Sequence, residues 1–346
     1  MRRVTVLTGG ASPERDVAFA GAAQVVAALR SRQYHVTVVD TVDGLLDSAA
    51  EARYLVTSVG RAPPDADVLQ AMQERELGPR LAQLQAIREA EVVFVVLHGR
   101  LGEGGTLQAL LELAGVSYTG SGPLGSALAM DKDMAKQLFR ATGVPTADWV
   151  MWPASSREIG QLGYPLVVKP SKVGSTVGLT VVRAFGEVEA AVETALRYDD
   201  EVLLERYIPG RELTVGVLGE RALAVGEIVP QHEIFDYECK YTPGMSREVF
   251  PADISAALAK RLQAFALAVH RGLKLRDLSR VDFRLDTEMR PYCLEANSLP
   301  GLAPTSLLPQ SAAAVGIDLP NLCESLCELA LRRASRRNKV GVKGKY

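Results

Sequence analysis

Residues 91 to 99 read EVVFVVLHG, apolar on both alternating faces until the run ends in His-Gly. Successive side chains of a strand point to opposite faces, so a strand apolar throughout must be covered on both sides. A parallel sheet with helices packed on each face meets that requirement. The chain upstream supplies the matching units. VTVLTGG is a short apolar strand closing on glycines, Glu14 to Arg32 carry helical apolar spacing, and HVTVVD is a second strand. This alternation predicts a parallel α/β domain at the N-terminus. Further on, GPRLAQLQAIREA predicts one helix and GTLQALLELAG another, closed by Gly115.

The texture then changes. MDKDMAKQLFRATG predicts a helix ending at Gly143, and VPTADWVMW an extended piece. YPLVVKP, GLTVVRA, EVLLERYI and ELTVGVLG are strands, with the helix GEVEAAVETALRY between them, which describes a small α+β domain. A larger segment follows: LAVGEIV, a helix from Ile254 to Leu273, the strands RVDFRLD and RPYCLEAN joined by TEMR, and a last helix from Leu319 to Arg333. Beyond Arg332 the chain is basic without an apolar period and is expected to fray. A chain of 346 residues exceeds one small core. The expected division is 1–120, 121–212 and 213–335, with a flexible tail at 336–346.

Several function classes recede on composition. A net charge of −2 offers no basis for a nucleic-acid surface. No apolar run has membrane-spanning length, and MRRVTVLTGG enters a strand without a signal-peptide core. The four cysteines show no zinc spacing, so reduced, packed thiols in the cytoplasm are expected.

Certain polar residues stand where an apolar strand should have none. In YCLEANSLPG, Glu295 and Asn297 lie two apart and share a face. With Asp282 on the preceding strand they form an all-oxygen set of the kind Mg²⁺ takes. The competing account is a salt bridge to Glu295 from Arg280 or Arg284, which leaves Asn297 and Asp282 unexplained. VKPSKVGSTVG puts Lys169 at a strand end before a Gly/Ser/Thr turn, a phosphate cradle or a plain hairpin. In LTGGASPERD, Ser12 fits a helix N-cap, Pro13 the first helical position and Glu14 the first turn. Glu14 also sits at the carboxyl end of strand one, where open α/β sheets bind ligands. His98 ends its strand in the same way and is either a structural hydrogen-bonder or a ligand contact. FDYECKYTPG is a surface loop or a lid bringing Lys240 to a phosphate.

In order and spacing, these motifs resemble the D-alanine–D-alanine ligases of the ATP-grasp superfamily, from GGASPERDVAFAG to NSLPGLAPTSLLP. The resemblance implies an α/β ATP-grasp architecture: an N-terminal parallel α/β domain, a small central α+β domain and a C-terminal mixed-sheet domain. It implies ATP, two Mg²⁺ or Mn²⁺ ions, D-alanine as substrate, and a homodimer. Residue by residue, Glu14 and His98 would meet the first substrate. Lys132, Lys169 and the lid's Lys240 would contact ATP phosphates, and Ser175 would link to Tyr241. Glu205 and the backbone of Arg206 to Ile208 would lie over the adenine, and Glu212 would bind the ribose. Asp282, Glu295 and Asn297 would hold the metal. Arg280 and the N–H of Gly301 would stabilise a tetrahedral intermediate, and Ser306 and Leu307 would take the second substrate's carboxylate. The chain departs from the family pattern at Gly104, Val173, Cys239, Leu302 and Ala303. A depsipeptide-forming ligase using D-lactate is the nearest alternative, disfavoured by Tyr241. A non-catalytic nucleotide-binding regulator would be expected to have lost part of this set.

Overall fold

The computed structural model describes residues 2–60, 64–242, 244–303 and 305–339. The first sheet has the order β3-β2-β1-β4, with β1 at Arg3–Thr8, β2 at His35–Asp40, β3 at Gly44–Leu45 and β4 at Val92–Val95. β1 runs parallel to both β2 and β4, and β3 is a short antiparallel edge. The composition of β4 has the expected consequence. Val92 and Phe94 pack into a cluster with the helix Arg15–Ser31, while Val93 and Val95 pack on the other face with Leu107 and Leu111. The last helix, Leu319–Lys339, completes the first cluster with Leu322, Cys323, Leu326 and Cys327.

Three local expectations are corrected here. The first helix begins at Arg15, not at Pro13. Glu14 occupies the N-cap position at φ −101° and ψ 21°, and Ser12 Oγ accepts from its N–H at 3.3 Å. The cause is tertiary, because the Glu14 carboxylate is engaged by residues of other sheets. The single helix expected over GPRLAQLQAIREA is a 3₁₀ segment, Gly78–Gln83, followed by a short turn, Gln85–Arg88. An extended Leu84 separates them, and both Leu81 and Ile87 are buried. The last helix runs past Arg333 to Lys339, since Arg333 pairs with Asp277 and donates to the Tyr118 carbonyl. The rest of the expected tail, 340–346, lies outside the described residues.

The second sheet, β5-β8-β6-β7, is antiparallel, with β5 at Trp149–Met151, β6 at Leu166–Pro170, β7 at Thr180–Val182 and β8 at Val202–Arg206. The third has the order β11-β10-β9-β12-β13, with β9 at Arg211–Leu218, β10 at Arg221–Pro230, β11 at Ser246–Val249, β12 at Leu278–Leu285 and β13 at Pro291–Asn297. ELTVGVLG, grouped by sequence with the small α+β unit, is β9 at the centre of this third sheet. Its alternating Leu213, Val215 and Val217 need the apolar face of the helix Ala256–Gly272 to cover them. The sheet is antiparallel throughout, where a mixed one was expected. Tight turns join β9 to β10 and β12 to β13, and such turns can only reverse the chain.

The β12–β13 ladder contains a bulge. Phe283 faces Cys293, but Asp282 faces Glu295, leaving Leu294 as the extra residue.

Candidate active site

The three sheets border one cleft made of two adjoining cavities of about 430 and 130 Å³. Glu14, His98, Tyr241, Asn297, Gly301 and Ser306 line the larger. Lys169, Glu205, Arg206, Ile208, Glu212 and Asp282 line the smaller. Lys132, Ser175, Lys240, Arg280, Glu295 and Leu307 line both. The fold therefore brings to this cleft every residue to which the family resemblance gives a role.

The shared wall is the most highly charged part. Asp282 accepts from Thr214 Oγ1 at 2.7 Å, from Arg280 Nε and Nη2 at 2.9 and 2.7 Å, and from Asn297 Nδ2 at 2.9 Å. Glu295 lies 3.7 Å from Lys132 Nζ. Burial alone would raise the Glu295 carboxyl, but Lys132, then Lys240, Lys169 and Arg280, hold it at about 2. The arginine salt bridge weighed for Glu295 does not form, because Arg280 binds Asp282 and Arg284 binds Glu212. Lys132 also donates to the Val173 carbonyl at 2.8 Å, a contact indifferent to the side chain at 173.

In the smaller cavity Glu205 is held by two lysines, Lys169 Nζ at 2.5 Å and Lys136 Nζ at 2.8 Å. Burial pushes the Glu205 carboxyl up, and Lys136 and Lys169 together bring it below the ordinary value. The backbone groups expected to face a base edge are partly engaged already. Arg206 N–H donates to Asp148, Tyr207 N–H to Pro165, and the Ile208 carbonyl accepts from Arg284 Nε at 3.0 Å. They continue the β8 edge and anchor Arg284. Glu212 is raised by burial, with Arg284 Nη1 at 3.3 Å opposing.

In the larger cavity the Glu14 carboxylate accepts from Ser175 Oγ and from the Tyr241 hydroxyl, and the two hydroxyls lie 3.2 Å apart. Burial and then the Glu14 charge raise Tyr241 well above its ordinary value, so it stays protonated and donates. The segment expected as a loop holds a short helix, Tyr237–Tyr241, because Asp236 caps it by accepting from Cys239 N–H at 2.9 Å. From this helix Lys240 reaches Thr176 Oγ1 at 3.2 Å. Ser175 and Thr176 adopt left-handed backbone, φ 53° and 64°. Each such residue costs on the order of 1 kcal/mol or more and persists where the surroundings over-determine it. β6 and β7 are antiparallel neighbours, so the GST turn is a hairpin link as well as a cavity wall.

His98 is buried, and its Nε2 has no hydrogen-bond partner among the described residues. Burial lowers its pKa against the pull of Glu14, which leaves a neutral ring. A Cβ on Gly301 would come within 2.8 Å of Ser306 Oγ, and Ser306 stands at the N-cap of the helix Leu307–Ala313. At Gly104 a Cβ would strike the Arg100 carbonyl, so the backbone as folded excludes a side chain there.

Two residues escaped the sequence. Glu103 lines the larger cavity, with its carboxyl raised to about 8 by burial and then by Glu14, against the Gly99 N–H donated at 2.9 Å. A carboxylate inside a glycine loop at a strand's carboxyl end was the available signal. Lys136, fully buried, had none, since a lysine in an amphipathic helix reads as solvated.

The chain as a whole is similar to known proteins. The family models described as the D-ala D-ala ligase N-terminus and C-terminus match residues 3–121 and 138–328. A D-alanine--D-alanine ligase from Synechococcus sp. (strain JA-3-3Ab) is 39% identical, over 96% of this chain and 94% of the relative. The solved D-alanine-D-alanine ligase from Coxiella burnetii superposes with a TM-score of 0.79 at 27% identity, covering 98% of this chain and 96% of that one. The Bacillus anthracis D-alanine--D-alanine ligase complexed with ATP gives 0.75 at 29% identity, covering 97% and 99%. The expected ATP-grasp architecture is thus the one present, and the chain belongs to the D-alanine–D-alanine ligase family.

Proposed function

We infer that the protein joins two D-alanine molecules at the expense of ATP, giving D-alanyl-D-alanine, ADP and phosphate for peptidoglycan synthesis. The observation that carries this is the wall shared by the two cavities, where Lys132, Lys240, Arg280 and Glu295 line both. A carboxylate in the larger cavity would there meet the terminal phosphate of a nucleotide in the smaller one.

A carboxylate is a poor electrophile and must be activated. One carboxylate oxygen of the first D-alanine attacks the γ-phosphorus, the bond to ADP breaks, and a D-alanyl phosphate forms. Lys132, Lys169 and Lys240 offset the phosphate charge, so positioning and electrostatics supply most of this step. The amine of the second D-alanine then attacks the acyl carbon, phosphate leaves, and the amine gives up a proton. Arg280 and the Gly301 N–H would stabilise the oxyanion between these events. Glu14 would hold the first ammonium, beside a neutral His98. Ser306 and Leu307 would receive the second carboxylate, and Glu205, Arg206, Ile208 and Glu212 the nucleoside. Ser175 and Tyr241 latch the lid, which must exclude water from the acyl phosphate.

The oxygen set of Asp282, Glu295 and Asn297 fits Mg²⁺ or Mn²⁺, since Glu295 stays ionised and every donor is hard. Two such ions, when bound, would neutralise charge on the phosphates. The division at 1–120, 121–212 and 213–335 is proposed with the reading, as is a cytoplasmic setting, supported by four buried free cysteines. Among the described residues no helix is long and apolar enough to cross a membrane. A homodimer is proposed from the family resemblance, and light scattering tests it.

The test is phosphate release with ATP and each of several D- and L-amino acids and D-lactate. Release with D-alanine and a dipeptide product is expected. Release only with D-lactate as acceptor, or none dependent on an amino acid, would overturn the reading.

A further inference from the structure

The lid carries a cluster that the ligation does not use. His232, Asp236 and Cys239 each offer a ligand atom, and the three atoms lie within 4.8 Å of one another. They fall at i, i+4 and i+7, running from the end of β10 into the lid helix. Imidazole, carboxylate and thiolate suit borderline ions of the zinc class, unlike the hard oxygen set at 282, 295 and 297.

The atoms are disposed for sharing. Asp236 uses Oδ1 to cap the helix at Cys239 N–H, and its Oδ2 meets His232 Nδ1 at 2.7 Å. Capping and metal binding therefore draw on different oxygens. Cys239 is buried, while His232 and Asp236 are half-exposed, so one side of the cluster faces solvent. A cap, an i,i+4 ion pair and a hydrogen bond from the Cys239 thiol to Asp236 join the three side chains into one cluster. Tetrahedral zinc, with bonds of about 2.0–2.3 Å, sets its ligands roughly 3.3–3.8 Å apart. Side-chain rotation covers the difference, opening the His–Asp contact and drawing in the sulfur.

We propose that His232, Asp236 and Cys239 form a binding site for a zinc-class divalent cation, and that the bound ion locks the lid. On binding, the Cys239 S–H bond breaks, a sulfur–metal bond forms and the proton leaves to solvent. His232 binds through neutral Nδ1, and water completes the shell. The lock follows from chain connectivity. Lys240 adjoins Cys239 and reaches Thr176, and Tyr241 comes next and reaches Glu14. An ion spanning 232 to 239 stiffens the segment that must open for substrate entry and product release. The lock rests on the ligase reading, whereas the site does not.

Cobalt(II) is the probe, added to the full chain. A thiolate-to-cobalt charge-transfer band in the near ultraviolet, saturating at one ion per chain and displaced by zinc, is expected. Cys239→Ser and His232→Ala, each checked for an unchanged melting temperature, should lose it, although Cys293, Cys323 and Cys327 remain. In excess Mg²⁺, zinc should slow turnover at least tenfold, and Cys239→Ser should need at least tenfold more zinc for the same effect. No band in the unaltered protein, or a band persisting in Cys239→Ser, overturns the site. A band lost in Cys239→Ser while zinc inhibits both proteins equally overturns the lock. Should D-alanine support no turnover, the cobalt band still decides the site.

Discussion

The hydroxyl of Tyr241 donates to the carboxylate of Glu14 at 3.0 Å, across 227 residues of chain. Ser175 donates to the same oxygen. One carboxylate at the carboxyl end of the first sheet thus receives the hairpin of the second and the lid strung between two strands of the third. If Glu14 holds the substrate ammonium as proposed, closure of the lid and occupation of the substrate end of the cleft would be read by a single group.

Tyr241→Phe removes one of those links, worth on the order of 1 kcal/mol, while Ser175 keeps Glu14 partnered. The fold should barely change. A looser lid should admit water and favour a neutral acceptor, so more phosphate is released per dipeptide, and D-alanyl-D-lactate rises relative to dipeptide near neutral pH. Both ratios are measured with the two acceptors at equal concentration. If neither ratio moves, Tyr241 is not the latch.

Glu295→Gln keeps the shape and deletes the charge. Turnover should fall by roughly 10²-fold or more, since hard ions need the carboxylate. The melting temperature should fall as well, because the cations that hold this buried carboxyl at about 2 lose their counter-charge, so turnover is the deciding reading. Normal turnover with a lowered melting temperature would leave Glu295 a structural ion-pair partner.

Arg280→Ala should lower kcat by about 10²–10³-fold, the loss typical of one oxyanion donor. The KM for ATP should change far less, because the charge that Arg280 stabilises exists only along the reaction. Asp282 keeps Thr214 and Asn297. Equal losses in both constants would make Arg280 a nucleotide contact.

Glu103 gives a pH dependence with a definite sign. Its carboxyl rises from 4.5 to about 8 in the fold, so the native state holds a proton that the unfolded chain releases. That contribution is complete below the unfolded value and is lost as pH rises through the folded one. Glu103→Gln should therefore gain melting temperature over the unaltered protein as pH is raised across that window, and differ little below it. A constant difference from roughly pH 5 to 9 would contradict the assignment.

Lys136→Met leaves Glu205 with Lys169 as its one remaining lysine. Lys169 is then held more tightly and less available to a phosphate, so the KM for ATP should rise more than kcat falls. Losing one partner of a buried ion pair should also cost about 3 kcal/mol of stability. An unchanged KM would limit Lys136 to a structural role.

The sequence was most informative where apolar period and glycine punctuation agree, as in β4 and in the helix closed by Gly115. The convergence of Asp282, Glu295 and Asn297 was legible only in part: the two-residue spacing puts Glu295 and Asn297 on one face, but the bulge at Leu294 is what brings that face round to Asp282. What escaped depends on distant partners. Glu14 reads as a first-turn residue until Ser175 and Tyr241 arrive from elsewhere. Lys136 reads as solvated until Glu205, 69 residues on, lands beside it. β9 reads like any short strand, and only the helix laid over it decides which sheet it joins.

Leu294, the extra residue in β13, sets the parity of the site. In an unbroken ladder Cys293 opposite Phe283 would put Leu294 opposite Asp282 and Glu295 opposite Val281, on the face packed beneath the helix Ala256–Gly272. The insertion turns the last part of the strand by one step, so that Glu295 and Asn297 share the cleft face with Asp282 and Arg280 while Ala296 goes under the helix. The reactive wall therefore depends on where the backbone bulges as much as on the identities of its residues. Exchanging Leu294 for another apolar side chain, or losing it altogether, leaves Glu295 opposite Asp282, whereas flattening the bulge with Leu294 drawn into the ladder would bury a carboxylate and an amide in oil and turn an alanine toward the nucleotide.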